Sequence, residues 1–359
     1  GSSIHIKVLI NEMKKKEINQ NILLIDLSGK KSINSNCSKV YSFKSITSNK
    51  YMLIFQRYLL IVYFFLKEIN NKYDVISIHF LGYVTPLQSY LLKKKTNKLI
   101  AIFWGSDLYR CTNFVRLNRT LNRCDAFHVS TNDMKMTLQN VLNIKNRNKS
   151  ILVNRFGVSG LNYIDELNEG FSYNVEIEDV IELKNKGKNI ITVGYNAYEG
   201  QQHEKIIDAL TLCNLNDDTY IVLPMTYGGN DKYKTLVMEK IKKSKLKHLI
   251  ILNYLDGENF AKLVKETNVF IQLQISDAFS AAMQENIYAG NYVITGDWLP
   301  YDEFIEMGIT LRQISNFKEI ASCFKDGLPK LDETEILKNK ELIYKLSSWK
   351  NVVAGWNEL

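Results

Sequence analysis

Apolar runs of five to seven residues alternate along most of the chain with stretches whose apolar residues recur at helical spacing. The candidate strands cover 21–27, 75–80, 99–104, 126–130, 150–154, 189–194, 219–224, 249–252, 269–273 and 292–295. Between most of them lie amphipathic segments such as 133–142 and 203–212. A strand buried on both faces reads as a continuous apolar run, and strand–helix alternation implies parallel sheets with helical crossovers. Two such series occur, one on each side of residue 160. A chain of 359 residues is long for a single core. The pattern predicts an α/β protein of two Rossmann-like domains, 1–156 and 157–340, with a helix over 341–359 packing back on the first.

Two stretches depart from the alternation. Residues 157–188 are poor in strand signal and rich in Asp165, Glu166, Glu169, Glu176 and Glu178, and read as a linker entering the second domain. At the start, a strand over 4–10 would leave too little chain before the strand at 21–27 for a parallel crossover of roughly a dozen residues. A helix over 5–17 fits better, its preceding strand lying upstream or absent, and 1–3 being a loop remnant or a cloning scar.

Composition narrows the class without changing it. With 45% hydrophobic and 23% charged residues the chain is an ordinary globular protein. A net charge of +8 favours anionic partners such as phosphate groups, a nucleotide or an acidic membrane surface. Spread over 359 residues it does not argue for nucleic acid, and no nucleic-acid partner is expected. Cys37, Cys111, Cys124, Cys213 and Cys323 show no zinc spacing, and no secretory signal is visible, so a cytoplasmic location fits. No Asp-x-Asp lies at a strand end, and no metal or other cofactor is implied; Asn216-Asp217-Asp218 precedes a strand and reads as a turn.

The most informative segment runs from Asp277 to Glu285, just after the strand at 269–273. It starts in a strand–helix loop, and Glu285 falls inside the following helix. Small residues at Ala278, Ser280, Ala281 and Ala282 would let a ligand approach the free amides of a helix N-terminus, a natural phosphate site. Carboxylates eight residues apart could grip opposite ends of an elongated ligand. The plainer alternative is an N-capping Asp and a solvated Glu.

This segment, with Phe279, Gly290 and the Val-Ile strand behind it, resembles the donor-binding motif of GT-B glycosyltransferases, in particular the retaining family 4. Asp277 stands for the first Glu of that motif, Ser280 for a Gly and Tyr292 for a Pro. The resemblance implies that Glu285 holds the ribose hydroxyls and that Asp277 and the loop amides face the sugar and diphosphate.

Three more segments are similar to the inverting dTDP-acetamidofucose lipid transferases: 103–109 with Trp104-Gly105-Ser106-Asp107, 193–203 with Gly194-Tyr195-Asn196 and His203, and 222–233 with Pro224-Met225-Thr226-Tyr227. The two resemblances imply opposite stereochemistry, so the anomeric outcome stays open. Each segment also reads sensibly alone. Gly194–Asn196 and Pro224–Tyr227 follow strands, where open α/β sheets bind ligands. His203 and Lys205 could contact a diphosphate, or His203 could simply pack. Asp107 is the first candidate for a general base, the plainer alternative being that it caps the next turn, and His79 at the end of a strand is the second. Family 4 enzymes often carry a His where Trp104 stands, so that His is not carried over.

The stretch 51–66 is aromatic and almost wholly apolar, broken by Gln56 and Arg57. It is short of the ~20 residues that span a bilayer. It reads as a crossover helix buried against the first sheet, the alternative being an interfacial helix docking on lipid beside Lys93, Lys94 and Lys95. The whole implies a GT-B enzyme with an active-site cleft between its domains. It would move a sugar from a nucleotide diphosphosugar to a glycan or lipid-linked acceptor in bacterial surface polysaccharide synthesis, at the inner face of the membrane. A non-hydrolysing sugar-nucleotide epimerase of the same fold and a non-catalytic GT-B-like binding protein are the rivals.

Overall fold

The alternation of apolar runs and amphipathic stretches resolves into parallel sheets covered by helices in a computed structural model that describes residues 4–16, 21–29, 31, 36–47, 49–167, 170–277 and 279–357. Ala278, Glu169 and residues 1–3 lie outside the described residues. The chain divides into a first unit, Gly1–Gly157 with Trp349–Leu359, and a second, Val158–Ser348.

The second unit carries β7 (Asn189–Val193), β8 (Thr219–Pro224), β9 (His248–Ile251), β10 (Val269–Gln272), β11 (Tyr292–Gly296) and β12 (Arg312–Ile314). They form one parallel sheet in the order β12-β11-β10-β7-β8-β9. The chain starts at the centre, winds out one way through β8 and β9, then returns to the other side of β7 as β10. The crevice outside the ends of β7 and β10 is thus the topological switch point, where such sheets bind ligands. Alternate residues feed opposite layers: Ile191 and Val193 pack with Ile206, Ile207 and Leu210, while Ile190 packs with Ile177 and Val180.

The first unit carries β1 (Leu23–Asp26), β2 (Lys39–Ser42), β3 (Tyr73–His79), β4 (Thr96–Ile102), β5 (Ala126–Val129) and β6 (Ser150–Val153). β3-β4-β5-β6 form a parallel sheet, and β1-β2 a separate parallel pair. Residues 4–15 are helical, in line with the helix reading of the start. The helix Lys50–Lys67 begins at Asn49, whose side chain accepts the amides of Tyr51 and Met52. Leu60, Ile61 and Phe64 are buried, whereas Tyr51, Phe55, Leu59, Tyr63 and Leu66 are exposed. The helix therefore both packs and presents an outer apolar stripe. Among the described residues no helix is long and apolar enough to cross a membrane.

Two sequence expectations are corrected. Residues 157–188 are not mainly linker: helices Gly160–Glu166 and Val175–Asn185 form there because Leu161, Ile164, Ile177 and Val180 are buried in the second unit. The segment returning to the first unit is Trp349–Leu359 rather than 341–359, since Ile343 on helix Glu333–Ser347 packs in the core of the second. β2 and β12 escaped the pattern because they are short and mixed in polarity.

Candidate functional site

Three loops converge at the C-terminal edge of the second unit's sheet, after β7, β8 and β10. Gly194 turns the chain out of β7 with φ +64°, a conformation that favours glycine. A Cβ there would stand 2.9 Å from His203 Nε2 and 3.1 Å from Gln201 Oε1. Both atoms are buried and have no hydrogen-bond partner among the described residues. The β7 and β8 loops are laced together by the Ala197 amide, which donates to Tyr227 O at 2.7 Å. A Cβ on Gly229 would lie 2.2 Å from Ala197 O, so this contact tolerates no side chain.

The β10 loop is held from its own strand. Gln272 Nε2 donates to Asp277 Oδ2 at 2.6 Å and lies 3.0 Å from the Tyr301 hydroxyl, which also bonds Asp277. The Ser280 amide donates to the same carboxylate oxygen at 3.4 Å. Ser280, not Asp277, caps helix Ala281–Tyr288, its hydroxyl accepting the Met283 amide. Phe279 is held at φ 62°, unusual for a bulky residue, with its ring against Tyr301 and Phe304. Asp277 thus organises the loop through several partners. It also raises the pKa of Tyr195, behind the larger effect of burial, which places the β7 and β10 loops beside each other.

Glu285 stands one turn into that helix and is 8% exposed. Its carboxylate makes no hydrogen bond or ion pair among the described residues, and burial pushes its pKa up to about 7. It lies against Gly160 and within electrostatic reach of Tyr227. An unpaired buried carboxylate is a costly arrangement that a hydroxyl-bearing ligand would relieve.

The remaining donor-loop residues divide. Thr226 is half-buried and Tyr227 exposed beside Tyr254, ring centroids 6.1 Å apart, available for packing on a flat ligand. Pro224 and Met225 are buried, Met225 within the core, so their side chains do not line an open site. The Asn196 side chain accepts the Tyr198 amide at 2.9 Å. Ala281 is half-buried and Ala282 buried. His203 is fully buried with Nδ1 3.2 Å from the Tyr233 hydroxyl, and burial lowers its pKa to about 4, so it is neutral. Lys205 is exposed, bonded to Gln202 at 2.7 Å and lying over the Phe317 ring.

Sequence reading missed Gly160, Gln201, Gln272, Gln274 and Tyr301. The signal for two of them was present, since glutamines at 272 and 274 interrupt an otherwise apolar strand end. Gln201 Nε2 donates to Gln274 Oε1 at 3.1 Å, tying the β7 loop to the β10 loop.

In the first unit, the Asp107 carboxylate accepts the Trp104 amide at 2.8 Å and the Leu81 amide at 3.1 Å, stapling the turns after β4 and β3. Burial raises its pKa and the backbone amides oppose that rise. His79 ends β3 in a cage of Trp104, Phe156 and Trp356, its Nδ1 without a hydrogen-bond partner among the described residues. Burial, with a smaller effect of His128, lowers its pKa to about 3. His128 on β5 is fully buried with its ring 4.5 Å from Trp356. Among the described residues no three His, Cys, Asp or Glu gather as a metal-holding group.

No family model matches the chain, and no curated protein sequence matches it. Solved structures do. A glycosyltransferase from Rickettsia africae is similar with a TM-score of 0.72 and 19% identity, over 98% of this chain and 93% of that one. Sucrose-phosphate synthase from Thermosynechococcus elongatus has a TM-score of 0.71 and 11% identity over 100% and 92%. Anabaena HepE, in complex with UDP and glucose, has a TM-score of 0.66 and 11% identity over 99% and 94%. The fold is that of the GT-B glycosyltransferases. The likeness in fold spans both units.

Proposed function

We propose that this chain is a sugar transferase that binds a nucleotide diphosphosugar on the second unit and an acceptor on the first. The observation that carries this reading is Glu285: a buried, partnerless carboxylate at the switch-point edge of a Rossmann sheet, beside Tyr227. A carboxylate there takes two hydroxyl donors, as vicinal ribose hydroxyls offer, and Tyr227 with Tyr254 supplies a surface for a base. The β7 and β10 loops add Gly194, the buried polar ends of Gln201 and His203, and the capped start of helix Ala281–Tyr288 for the diphosphosugar. Stabilising a leaving diphosphate with fixed amides and neutral donors requires no metal. HepE, seen with UDP and glucose, has the same fold and supports a nucleotide-sugar donor.

For the acceptor hydroxyl the base falls to Asp107 rather than His79. Burial makes the Asp107 carboxyl more basic than usual and makes the His79 imidazole much less so. The acceptor is a glycan or lipid-linked saccharide of a bacterial surface polysaccharide, reached from the inner membrane face. The outer stripe of helix Lys50–Lys67 and the net charge of +8 support docking on anionic lipid.

The test is calorimetric titration of UDP, GDP and dTDP into the wild-type chain and Glu285→Gln, followed by transfer assays with the nucleotide sugar that binds. One nucleotide should bind to the wild type and at least ~10-fold more weakly to the variant, the order of one lost charged hydrogen bond. Equal binding by both proteins, or none by either, overturns the reading. Conversion of the donor sugar with no acceptor present would favour the epimerase instead.

A further inference from the structure

One buried imidazole in the second unit is oriented from the helix that follows β8. His203 opens helix His203–Leu210 and is fully buried. Its Nε2 lies against the Gly194 turn after β7, with no hydrogen-bond partner among the described residues. The other ring nitrogen, Nδ1, is 3.2 Å from the Tyr233 hydroxyl. Tyr233 is held firmly. The Asn230 side chain caps helix Asp231–Lys243 by accepting the Tyr233 amide at 2.8 Å. The Tyr233 ring packs in the core that also holds Ile207, Leu210 and Val237. Its hydroxyl is therefore fixed in place before any ligand arrives.

The partners of that hydroxyl decide which ring nitrogen carries the proton. A phenol has one hydrogen to donate and lone pairs that accept, whereas a neutral imidazole has one N–H and one bare nitrogen. The His203 backbone amide is turned to the Tyr233 oxygen. Nδ1 is the acceptor bonded to the hydroxyl, with no other among the described residues. If Nδ1 held the proton, the phenol oxygen would receive two donors and its own hydrogen would have no acceptor. Tyr233 is only 4% exposed, and a buried donor left unpaired costs about 1–3 kcal/mol. With the hydroxyl donating to Nδ1, both groups are satisfied and the imidazole proton sits on Nε2.

A preset N–H thus stands at the Gly194 turn with nothing to receive it. Gln201 Oε1 reaches the same turn and is also unpaired, and no hydrogen bond joins it to Nε2. No side chain caps the helix start that His203 opens. An N–H donor beside an uncapped helix start suits an anionic oxygen. We infer that Tyr233 is a positioning residue for the diphosphate: its hydroxyl fixes the His203 tautomer, so that Nε2–H donates to a phosphate oxygen at the Gly194 turn. This rests on the reading that the second unit binds a nucleotide diphosphosugar, and adds to it the donating atom and the residue that holds it.

Nitrogen NMR of the imidazole rings, which separates a protonated from a bare ring nitrogen, tests the tautomer on the wild-type chain. The spectrum of His203→Leu identifies the His203 signals among the five histidines. His203 should show Nε2 protonated and Nδ1 bare. UDP, GDP and dTDP are then added, with the nucleoside of whichever binds. The diphosphate should shift the Nε2 signal and the nucleoside should not. Tyr233→Phe should weaken the diphosphate by about 10-fold, the order of one hydrogen bond to a charged group, and leave the nucleoside unchanged. In the His203→Leu background the same substitution should cost nothing further. A bare Nε2, an Nε2 signal unmoved by a bound diphosphate, or equal weakening of nucleoside and diphosphate overturns the inference while the donor reading stands. If none of the three nucleotides binds, the donor reading falls and this inference falls with it.

Discussion

The carboxylate of Glu285 lies against the backbone of Gly160, so close that a Cβ built on Gly160 would stand 1.8 Å from Oε1. Gly160 has an ordinary φ, so the glycine is there for space and not for conformation. It opens helix Gly160–Glu166, whose Leu161 and Ile164 fix it in the core of the second unit. Gly160→Ala must therefore move the carboxylate rather than the helix. We expect nucleotide affinity to fall by about 10–100-fold, equivalent to ~1.5–3 kcal/mol for a hydrogen bond to a charged group. Titration calorimetry reads the loss. Unchanged affinity would show that Glu285 does not touch the ligand.

Glu285 also sets a pH dependence. Its folded pKa is about 7 against an ordinary 4.5, so between those values the folded chain binds more protons than the unfolded one. Its contribution therefore makes the ligand-free protein less stable as pH rises through that window. Binding behaves oppositely. Hydroxyl donors prefer the ionised carboxylate, so nucleotide affinity should climb as pH rises, by up to ~10-fold per unit below 7, and level off above it. Glu285→Gln should flatten both profiles. A wild-type affinity that is flat from pH 5.5 to 8 contradicts the assignment.

The fold was largely legible because parallel strands buried on both faces leave apolar runs that no loop imitates. Ten candidate strands all fell on real ones, and β2 and β12 were lost only because three or four mixed residues carry no pattern. The site was legible in part. Loops at strand ends are visible in sequence, so Gly194, Tyr227 and Glu285 could be picked out. What holds them is not, since it depends on residues distant in sequence: Gly160 under Glu285, Tyr301 on Asp277 and Gln201 on Gln274.

Tyr301 offers a way to separate the scaffold of the β10 loop from its ligand contacts. Its hydroxyl is fully buried and joins Asp277 and Gln272. Tyr301→Phe keeps the ring packed on Phe279 and Phe304 but leaves the Asp277 carboxylate short of one donor. The expected loss of stability is about 1–3 kcal/mol, the desolvation penalty of an unsatisfied buried group. Chemical denaturation measures it. The loop should also exchange its amides faster around Phe279, whose left-handed backbone depends on that anchoring. A variant as stable as the wild type would mean that Asp277 is held well enough by Gln272 and Ser280.

The stripe on helix Lys50–Lys67 makes a prediction about location. Tyr51, Phe55, Leu59 and Tyr63 are four residues apart, so they share one helix face, and all are about half exposed or more. Their neighbours Leu60, Ile61 and Phe64 are buried, so the stripe is not needed to close the core. A chain of net charge +8 with such a face should sediment with vesicles of anionic phospholipid and less with neutral ones. Phe55→Ser, Leu59→Ser and Tyr63→Ser together should weaken that binding by at least ~30-fold, since each side chain contributes on the order of 1 kcal/mol when half its surface leaves water. The melting temperature should hardly change, because the replaced side chains already face solvent. If the triple variant still sediments, lipid is held elsewhere; if the wild type never does, the stripe meets a protein surface instead.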